Sequence, residues 1–128
     1  MGEVIAAYFG TILGIAVLVY AFIVYREITL LPDGSDKMKD IASAIHEGAM
    51  VFLKREYRII GIFVAVVFVL LGLFISWNAA VAYIAGAFSS MIAGFFGMKA
   101  ATKANVRTAH AAASEGQGKA LTVAFKGG

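Results

Sequence analysis

The chain alternates between long apolar runs and segments that carry all of its charge. The runs cover residues 4–25, 59–77 and 79–98, and none contains Asp, Glu, Lys, Arg or His. At about 1.5 Å per helical residue, runs of this length suit a hydrocarbon core about 30 Å thick. The pattern predicts an all-α integral membrane protein with three transmembrane helices.

Two features refine the positions of these spans. Only Asn78 separates the second and third runs, so the sequence predicts a tight helical hairpin with its tip at Asn78. The first run could instead be a cleaved signal peptide, which has a basic start and a shorter apolar stretch. Here Glu3 precedes a long run and Arg26 follows it, which favours a retained helix.

The segments outside the spans also read as helical. Pro32, Asp33 and Gly34 predict a turn, and Ser35 or Asp36 then caps a helix. Because nothing downstream would stop that helix, residues 36–58 are expected to extend the second span. Residues 99–113 extend the third span in the same way. Glycines 116 and 118 are expected to end that helix, and residues 119–128 to begin a further one.

A face of small residues follows the third helix along its whole length. Small side chains at four-residue spacing let two helix backbones approach closely. This face therefore predicts packing on a neighbouring helix, within or beyond these residues. Its members are Ala82, Gly86, Ser90, Gly94, Gly97, Ala101, Ala104 and Thr108.

The charges indicate an orientation. All eleven Lys and Arg residues lie in residues 26–58 or 99–126, and three spans place both groups on one side. The positive-inside rule makes that side cytoplasmic. We therefore expect an external N-terminus, an external hairpin tip and a cytoplasmic C-terminus. The net charge of +3 is explained by topology, so the sequence gives no reason to expect nucleic-acid binding.

Several kinds of chemistry find no support in the sequence. The absence of Cys excludes disulfides and thiolate metal sites. The runs hold no ionisable residue, although ion paths through membranes use such groups. Glu47 could be a site residue, but capping or pairing near the membrane face is favoured. We therefore assign no catalytic, cofactor-binding or metal-binding residue to this chain.

Five basic residues have two interpretations each. Lys99, Lys103 and Arg107 form a stripe that could bind phosphate or anionic lipid, although a positive-inside anchor is favoured. His46 and His110 could relay protons. Both lie outside the predicted spans without a paired ligand, so surface or packing roles are favoured.

Three segments resemble one known family. Residues 41–60, IASAIHEGAMVFLKREYRII, are similar to a family segment of the form I..AI.EGA.AFL.REY. Residues 86–112 resemble G…SM.AG..GM..AT.AN.RTA..A, and residues 124–128 are similar to the start of the following helix. The family is the membrane-integral, sodium- or proton-translocating pyrophosphatase. Residues 1–40 match it only in hydropathy.

The most specific part of the resemblance is Asn105, Arg107 and Thr108 after Gly97-Met98. The resemblance implies a pump that hydrolyses cytoplasmic pyrophosphate with Mg²⁺, with or without K⁺, and moves H⁺ or Na⁺ outward. It also implies a homodimer, many more helices, and substrate and ion-gate residues on those later helices. Residues 1–128 would then be a single N-terminal membrane segment of a larger bundle. The segment would be inactive alone, in contact with lipid and the missing helices, in a prokaryotic inner membrane.

One alternative stays open. The chain could be a self-contained membrane structural subunit or a small exporter with no hydrolytic activity. That alternative predicts a natural stop after Gly128, whereas the pump predicts a reading frame that continues into Asp- and Lys-rich motifs. The choice between H⁺ and Na⁺ is open in either case.

Overall fold

The computed structural model describes the backbone of residues 2–128 and the side chains of residues 5, 6 and 8–128. Within that range all regular secondary structure is α-helical, as predicted. Among the described residues, three helices are long and apolar enough to cross a membrane. The helices are α1 (Gly2–Leu30), α2 (Asp36–Phe74), α3 (Trp77–Ser114) and α4 (Gln117–Gly127).

The start of α2 follows the sequence closely. Gly34 adopts a φ of +83°, a left-handed conformation that glycine tolerates without strain. Ser35 Oγ then accepts a hydrogen bond from the backbone N–H of Met38 at 3.4 Å and caps the helix. From Asp36 the helix continues for 39 residues without a break. The predicted turn, cap and unbroken helix are confirmed.

The turn between α2 and α3 lies earlier than predicted. It falls at Ile75 and Ser76, whereas Asn78 is already in the first turn of α3. Ser76 Oγ accepts from the N–H of Ala79 at 3.2 Å, and the N–H of Ser76 donates to Leu71 O at 2.9 Å. The prediction at Asn78 was wrong because Ser76, though inside an apolar run, is the better helix cap.

Trp77 fastens the two helices beside this turn. Its ring lies so close to Gly72 that a Cβ there would sit 2.9 Å from a ring carbon. The ring also meets Phe68 edge-on, with 6.0 Å between ring centroids. Gly72 thus lets the indole pack directly against the α2 backbone, and the hairpin closes in a single short turn.

Two polar contacts fix the register of α2 against α3. The hydroxyl of Tyr57 donates to Met91 O, and His46 Nδ1 lies 2.9 Å from Thr102 Oγ1. Eleven residues separate the two partners on each helix, so the antiparallel pairing runs without a slip. Ile59 is accordingly level with residue 89, nine residues before Met98. The span boundaries predicted at 59 and 98 are therefore offset by about 13 Å along the helices.

This offset places three basic residues of α2 beside apolar residues of α3. Lys54, Arg55 and Arg58 are exposed and lie level with the apolar part of α3. Long basic side chains at such a depth extend their charged ends toward water along their apolar stems. The positions at which α2 and α3 leave the bilayer stay predictions, and α2 carries charge closer to the turn than α3 does.

The end of α3 differs from its prediction in one glycine. α3 ends at Ser114, and Gly116 makes the break with a φ of +91°. Gly118 lies inside α4 rather than in the break. Because Gly116 reverses the chain so sharply, α4 folds back along α3, and Gly127 contacts Ala104 too closely to leave room for a Cβ.

The small face of α3 is used unevenly within these residues. Gly94 faces the hydroxyl of Tyr57, with 3.0 Å to an added Cβ, and Ala104 is buried under α4. Ala82, Gly86 and Ser90 are exposed. Packing of these three on a further helix stays a prediction. The less exposed residues of α3 nearer the turn include Ala80, Tyr83, Ala87 and Met91.

Candidate functional site

The four helices meet at one end of the molecule. We call this end the junction and define it as residues 27–46 and 99–127. There the end of α1 contacts α3 and α4, whereas no described residue of α1 contacts α2. The five basic residues singled out in the sequence, Lys99, Lys103, Arg107, His46 and His110, all lie here.

Arg107 joins α3 to the end of α1. Its half-buried guanidinium donates from Nε to Leu31 O and from Nη2 to Thr29 O, both at 3.1 Å. A third bond runs from Nη1 to Lys103 O at 2.9 Å. The last carbonyls of a helix lack partners and carry partial negative charge, so a cation there satisfies them and the helix dipole.

This role was missed by both interpretations of the basic stripe. The guanidinium of Arg107 caps α1. Neither a membrane-surface anchor nor a phosphate ligand describes that role. The last turn of α1 contains no basic residue, and its carbonyls therefore need a donor from elsewhere. The lack of a basic residue in the last turn of α1 is the one sequence feature that points to a donor from elsewhere. It does not identify Arg107, because a partner 76 positions away cannot be found from local spacing.

His46 makes a packing contact, as favoured. The hydroxyl of Thr102 donates to Lys99 O at 3.2 Å, and its single proton is thereby used. His46 Nδ1 lies 2.9 Å from the same oxygen. The contact links α2 to α3 through a buried threonine.

His110 also makes a packing contact. A Cβ added to Gly34 would lie 3.3 Å from His110 Nδ1 and 2.6 Å from Met38 Sδ. The imidazole is half-buried and lies against the turn that precedes α2. His110 therefore lies in contact with that turn, and its packing role stays a prediction.

A fourth link joins α4 to α1. Lys126 Nζ lies 2.6 Å from Glu27 Oε2. The hydrogen bond and the charge of Glu27 raise the pKa of Lys126 above its ordinary value. Both side chains are about half exposed, so solvent screens the pair. Local sequence pattern does not indicate this pair, because the two residues lie 99 positions apart.

A cleft of about 340 Å³ opens between α2 and α3 at the junction. Lys99 and Lys103 line it together with Lys39, Arg107 and Asp33. The carboxylate of Asp33 lies 3.7 Å from Lys39 Nζ, and Asp36 lies at the same distance from that nitrogen. Lys99 and Lys103 form no ion pair with any described residue, and the cleft therefore carries uncompensated positive charge.

The acidic residues whose side chains the structure describes do not converge. Glu47 is exposed and forms no ion pair within the described range, so the favoured pairing does not occur among these residues. No three described His, Cys, Asp or Glu side chains lie close enough together to hold a metal ion. The residues present therefore do not fit a Mg²⁺ site, and we derive no catalytic step from them.

The sequence pattern of the inorganic H⁺ pyrophosphatase family matches residues 15–128. The chain belongs to this family. A protein of Clostridium tetani is 46% identical over 120 residues, which are 94% of this chain and 18% of that protein. The resemblance seen in the motifs is thus shown over nearly the whole chain.

Two other relatives in the pyrophosphatase family carry informative names. A K⁺-insensitive pyrophosphate-energized proton pump of Methanosarcina mazei is 44% identical over 90% of this chain and 17% of its own length. A K⁺-stimulated pyrophosphate-energized sodium pump of Thermotoga maritima is 42% identical over 91% of the chain and 15% of its own length. The chain spans less than a fifth of these pyrophosphatases, and its relatives include both proton and sodium pumps.

Proposed function

We propose that this chain is the N-terminal, non-catalytic part of a pump that couples pyrophosphate hydrolysis to outward transport of H⁺ or Na⁺. The match to the inorganic H⁺ pyrophosphatase family over residues 15–128 carries the proposal. Its partners would be the remaining helices of the same polypeptide, a second copy in a homodimer, and membrane lipid.

The chemistry of the junction supports a non-catalytic role. Hydrolysis of pyrophosphate requires metal ions held by several carboxylates and a positioned attacking water. At the junction, Glu27 is paired with Lys126, and both Asp33 and Asp36 lie beside Lys39. Carboxylates already compensated by lysines and spread over separate turns are poor metal ligands. The Mg²⁺ implied by the family would therefore bind to later helices.

What the segment contributes is a fixed helical frame. α2 and α3 are held by Tyr57 and His46, and Arg107 attaches α1 to this pair. By the positive-inside rule the junction would lie in the cytoplasm, on the side where pyrophosphate is available. The exposed apolar surface of the hairpin is then available to lipid and to the remaining helices.

Phosphate release tests this proposal. The 128-residue chain and the full-length protein are each reconstituted in lipid and supplied with pyrophosphate and Mg²⁺. We expect release by the full-length protein alone, accompanied by uptake of H⁺ or Na⁺ into the vesicles. Release by the isolated chain above a lipid-only control would place a catalytic site among these residues. A reading frame that stops after codon 128 would favour the small-subunit alternative.

Orientation is tested separately by cysteine labelling, because the chain contains no native Cys. Asn78→Cys in the full-length protein should react with an impermeant maleimide added outside the cell. Lys37→Cys, on the opposite side, should react only after the membrane is opened. The reverse pattern would contradict the proposed topology and leave the proposed coupling to be judged by the uptake assay.

A further inference from the structure

We propose that the cleft between α2 and α3 at the junction binds the phosphate group of a small anion, either an anionic lipid headgroup or free phosphate. The proposal concerns the cleft of about 340 Å³ lined by Lys39, Lys99, Lys103 and Arg107. It is independent of the catalytic assignment, since it requires no hydrolysis. A volume above about 300 Å³ is in the range of small-molecule sites.

Repulsion among the cations of α3 is the first argument. Lys99, Lys103 and Arg107 are spaced four residues apart, so their charges lie on one face of the helix. Like charges at this spacing destabilise a helix. Lys99 and Lys103 are half-buried and form no ion pair with a described carboxylate. An anion in the cleft would relieve this repulsion.

The carboxylate in the cleft does not supply that compensation. Asp33 lies 3.7 Å from Lys39 Nζ on its own side of the cleft, and Asp36 shares the same nitrogen. Lys39 is thus balanced by two acids, whereas the lysines of α3 are balanced by none among the described residues. The uncompensated charge is concentrated on α3.

Hydrogen-bond donors also remain available. Arg107 uses three N–H groups on carbonyls, and a guanidinium has five. Its two remaining N–H groups, the two ammonium groups and the hydroxyl of Ser43 all belong to residues that line the cleft. Phosphate oxygens are strong acceptors that prefer several charged donors at once. The lining thus suits a phosphate better than a carboxylate or a halide.

The position of Lys99 favours a lipid as the source. Lys99 is the first charged residue after the apolar run 79–98 of α3. Basic residues just beyond a span lie at the depth of lipid headgroups and are attracted to anionic ones. Free phosphate offers the same chemistry from the aqueous side, and an acidic side chain from a later helix is the competing occupant.

The test measures binding to the full-length protein in a neutral detergent. The probes are short-chain phosphatidic acid, short-chain phosphatidylcholine and inorganic phosphate, each titrated against the thermal unfolding midpoint. Pyrophosphate is avoided because it would bind the catalytic site as substrate. Inorganic phosphate, the product, can bind there too, so its effect on the cleft is taken only from the difference between the cleft variant and the control. The variant is Lys99→Gln with Lys103→Gln. The matched control is Lys37→Gln with Lys54→Gln, which removes two exposed lysines that do not line the cleft.

We expect phosphatidic acid or phosphate, but not phosphatidylcholine, to raise the midpoint of the unmodified and control proteins. The double cleft variant should bind about tenfold more weakly or worse, since hydrogen bonds from charged donors are the stronger class. Lys99→Arg with Lys103→Arg should retain binding. The probe that acts at the lower concentration identifies the source.

Two outcomes would overturn the proposal. One is equal stabilisation of the cleft variant and the control by every anionic probe. The other combines two observations. The cleft variant is less stable than the unmodified protein without any probe, and the unmodified protein does not respond to phosphatidic acid or phosphate. This result would identify an acidic side chain as the occupant. Because phosphate release is not the readout, neither outcome bears on the proposed pump.

Discussion

The junction and the opposite half of the hairpin are stabilised in different ways. Seven of the nine buried side chains described lie at the junction, whereas Ala80 is the only one of them between residues 59 and 98. The junction also holds the cap of α1, the His46–Thr102 bond and the Lys126–Glu27 pair. Near the turn, the described contacts include the packing of Trp77 on Gly72 and Phe68 and the hydrogen bonds of Ser76.

The two halves differ because one suits a lipid environment and the other suits water. Between residues 59 and 98 most large apolar side chains are exposed, which lipid or further helices tolerate and water does not. A membrane supplies no hydrophobic drive for two such helices to associate, so close packing is required instead. At the junction, polar groups and a small apolar core hold four helices together. We therefore expect the junction to determine the fold of this segment.

The largest expected effect comes from removing the cap on α1. Arg107→Met keeps most of the apolar stem of the side chain and removes its three hydrogen bonds, two of which join α3 to the end of α1. At about 1.5–3 kcal/mol for each charged hydrogen bond, we expect a loss of about 3 kcal/mol in the free energy of unfolding. The thermal midpoint of the full-length protein measures it.

Arg55→Met is the control for Arg107→Met. Arg55 is exposed, and no described residue forms an ion pair with it. Exposed substitutions of this kind change stability little, by about 0.5 kcal/mol or less. Equal loss in the two variants would mean that the cap is not what attaches α1 to the junction.

The next effect concerns the contact between α4 and α3. Gly127→Ala would place a Cβ directly against Ala104, so we expect a loss of about 1–3 kcal/mol from overpacking. Gly118→Ala, in the same helix, meets nothing within 4 Å and should be neutral or stabilising. Limited proteolysis of the two full-length variants, read as the rate of cleavage near Gly116, distinguishes them. Equal rates would show that α4 is not docked as described.

Glycine substitutions test the packing between residues 59 and 98, the half of the hairpin nearer the turn. Gly94→Leu must displace Tyr57, whose hydroxyl lies 3.0 Å from an added Cβ, whereas Gly86 has open space around it. Within these residues only Gly94→Leu should be destabilising, by about 1–2 kcal/mol. If further helices cover the small face, Gly86→Leu should lower the yield and thermal stability of the full-length protein as well. Normal stability of both variants would show that lipid covers this face and that Tyr57 moves freely.

Most of the features that depend on local sequence pattern were predicted correctly. Apolar runs predicted the three long helices, and Pro32 to Ser35 predicted the turn and the cap of α2. The motif with Arg107 indicated the family. Local pattern did not reveal that Arg107 caps α1, because that contact crosses 76 positions. It also misplaced the hairpin turn, since hydropathy alone does not register a capping serine inside an apolar run.

The smallest effect belongs to the ion pair of Lys126 with Glu27. Glu27 raises the pKa of Lys126, so the pair contributes its stabilisation below the ordinary lysine pKa of 10.5 and loses it as the pH rises through the raised value. Lys126→Met should therefore lower the thermal midpoint slightly at pH 8, and the gap from the unmodified protein should close once the pH has risen through the raised pKa of Lys126. High salt should also reduce this difference in thermal midpoint, because the side chains of Lys126 and Glu27 are both about half exposed to solvent. Lys119→Met, also in α4 but unpaired in the described structure, should show no gap at pH 8. A gap for Lys126→Met that persists at high pH and high salt would assign its effect to packing, and the electrostatic link between α4 and α1 would then be wrong.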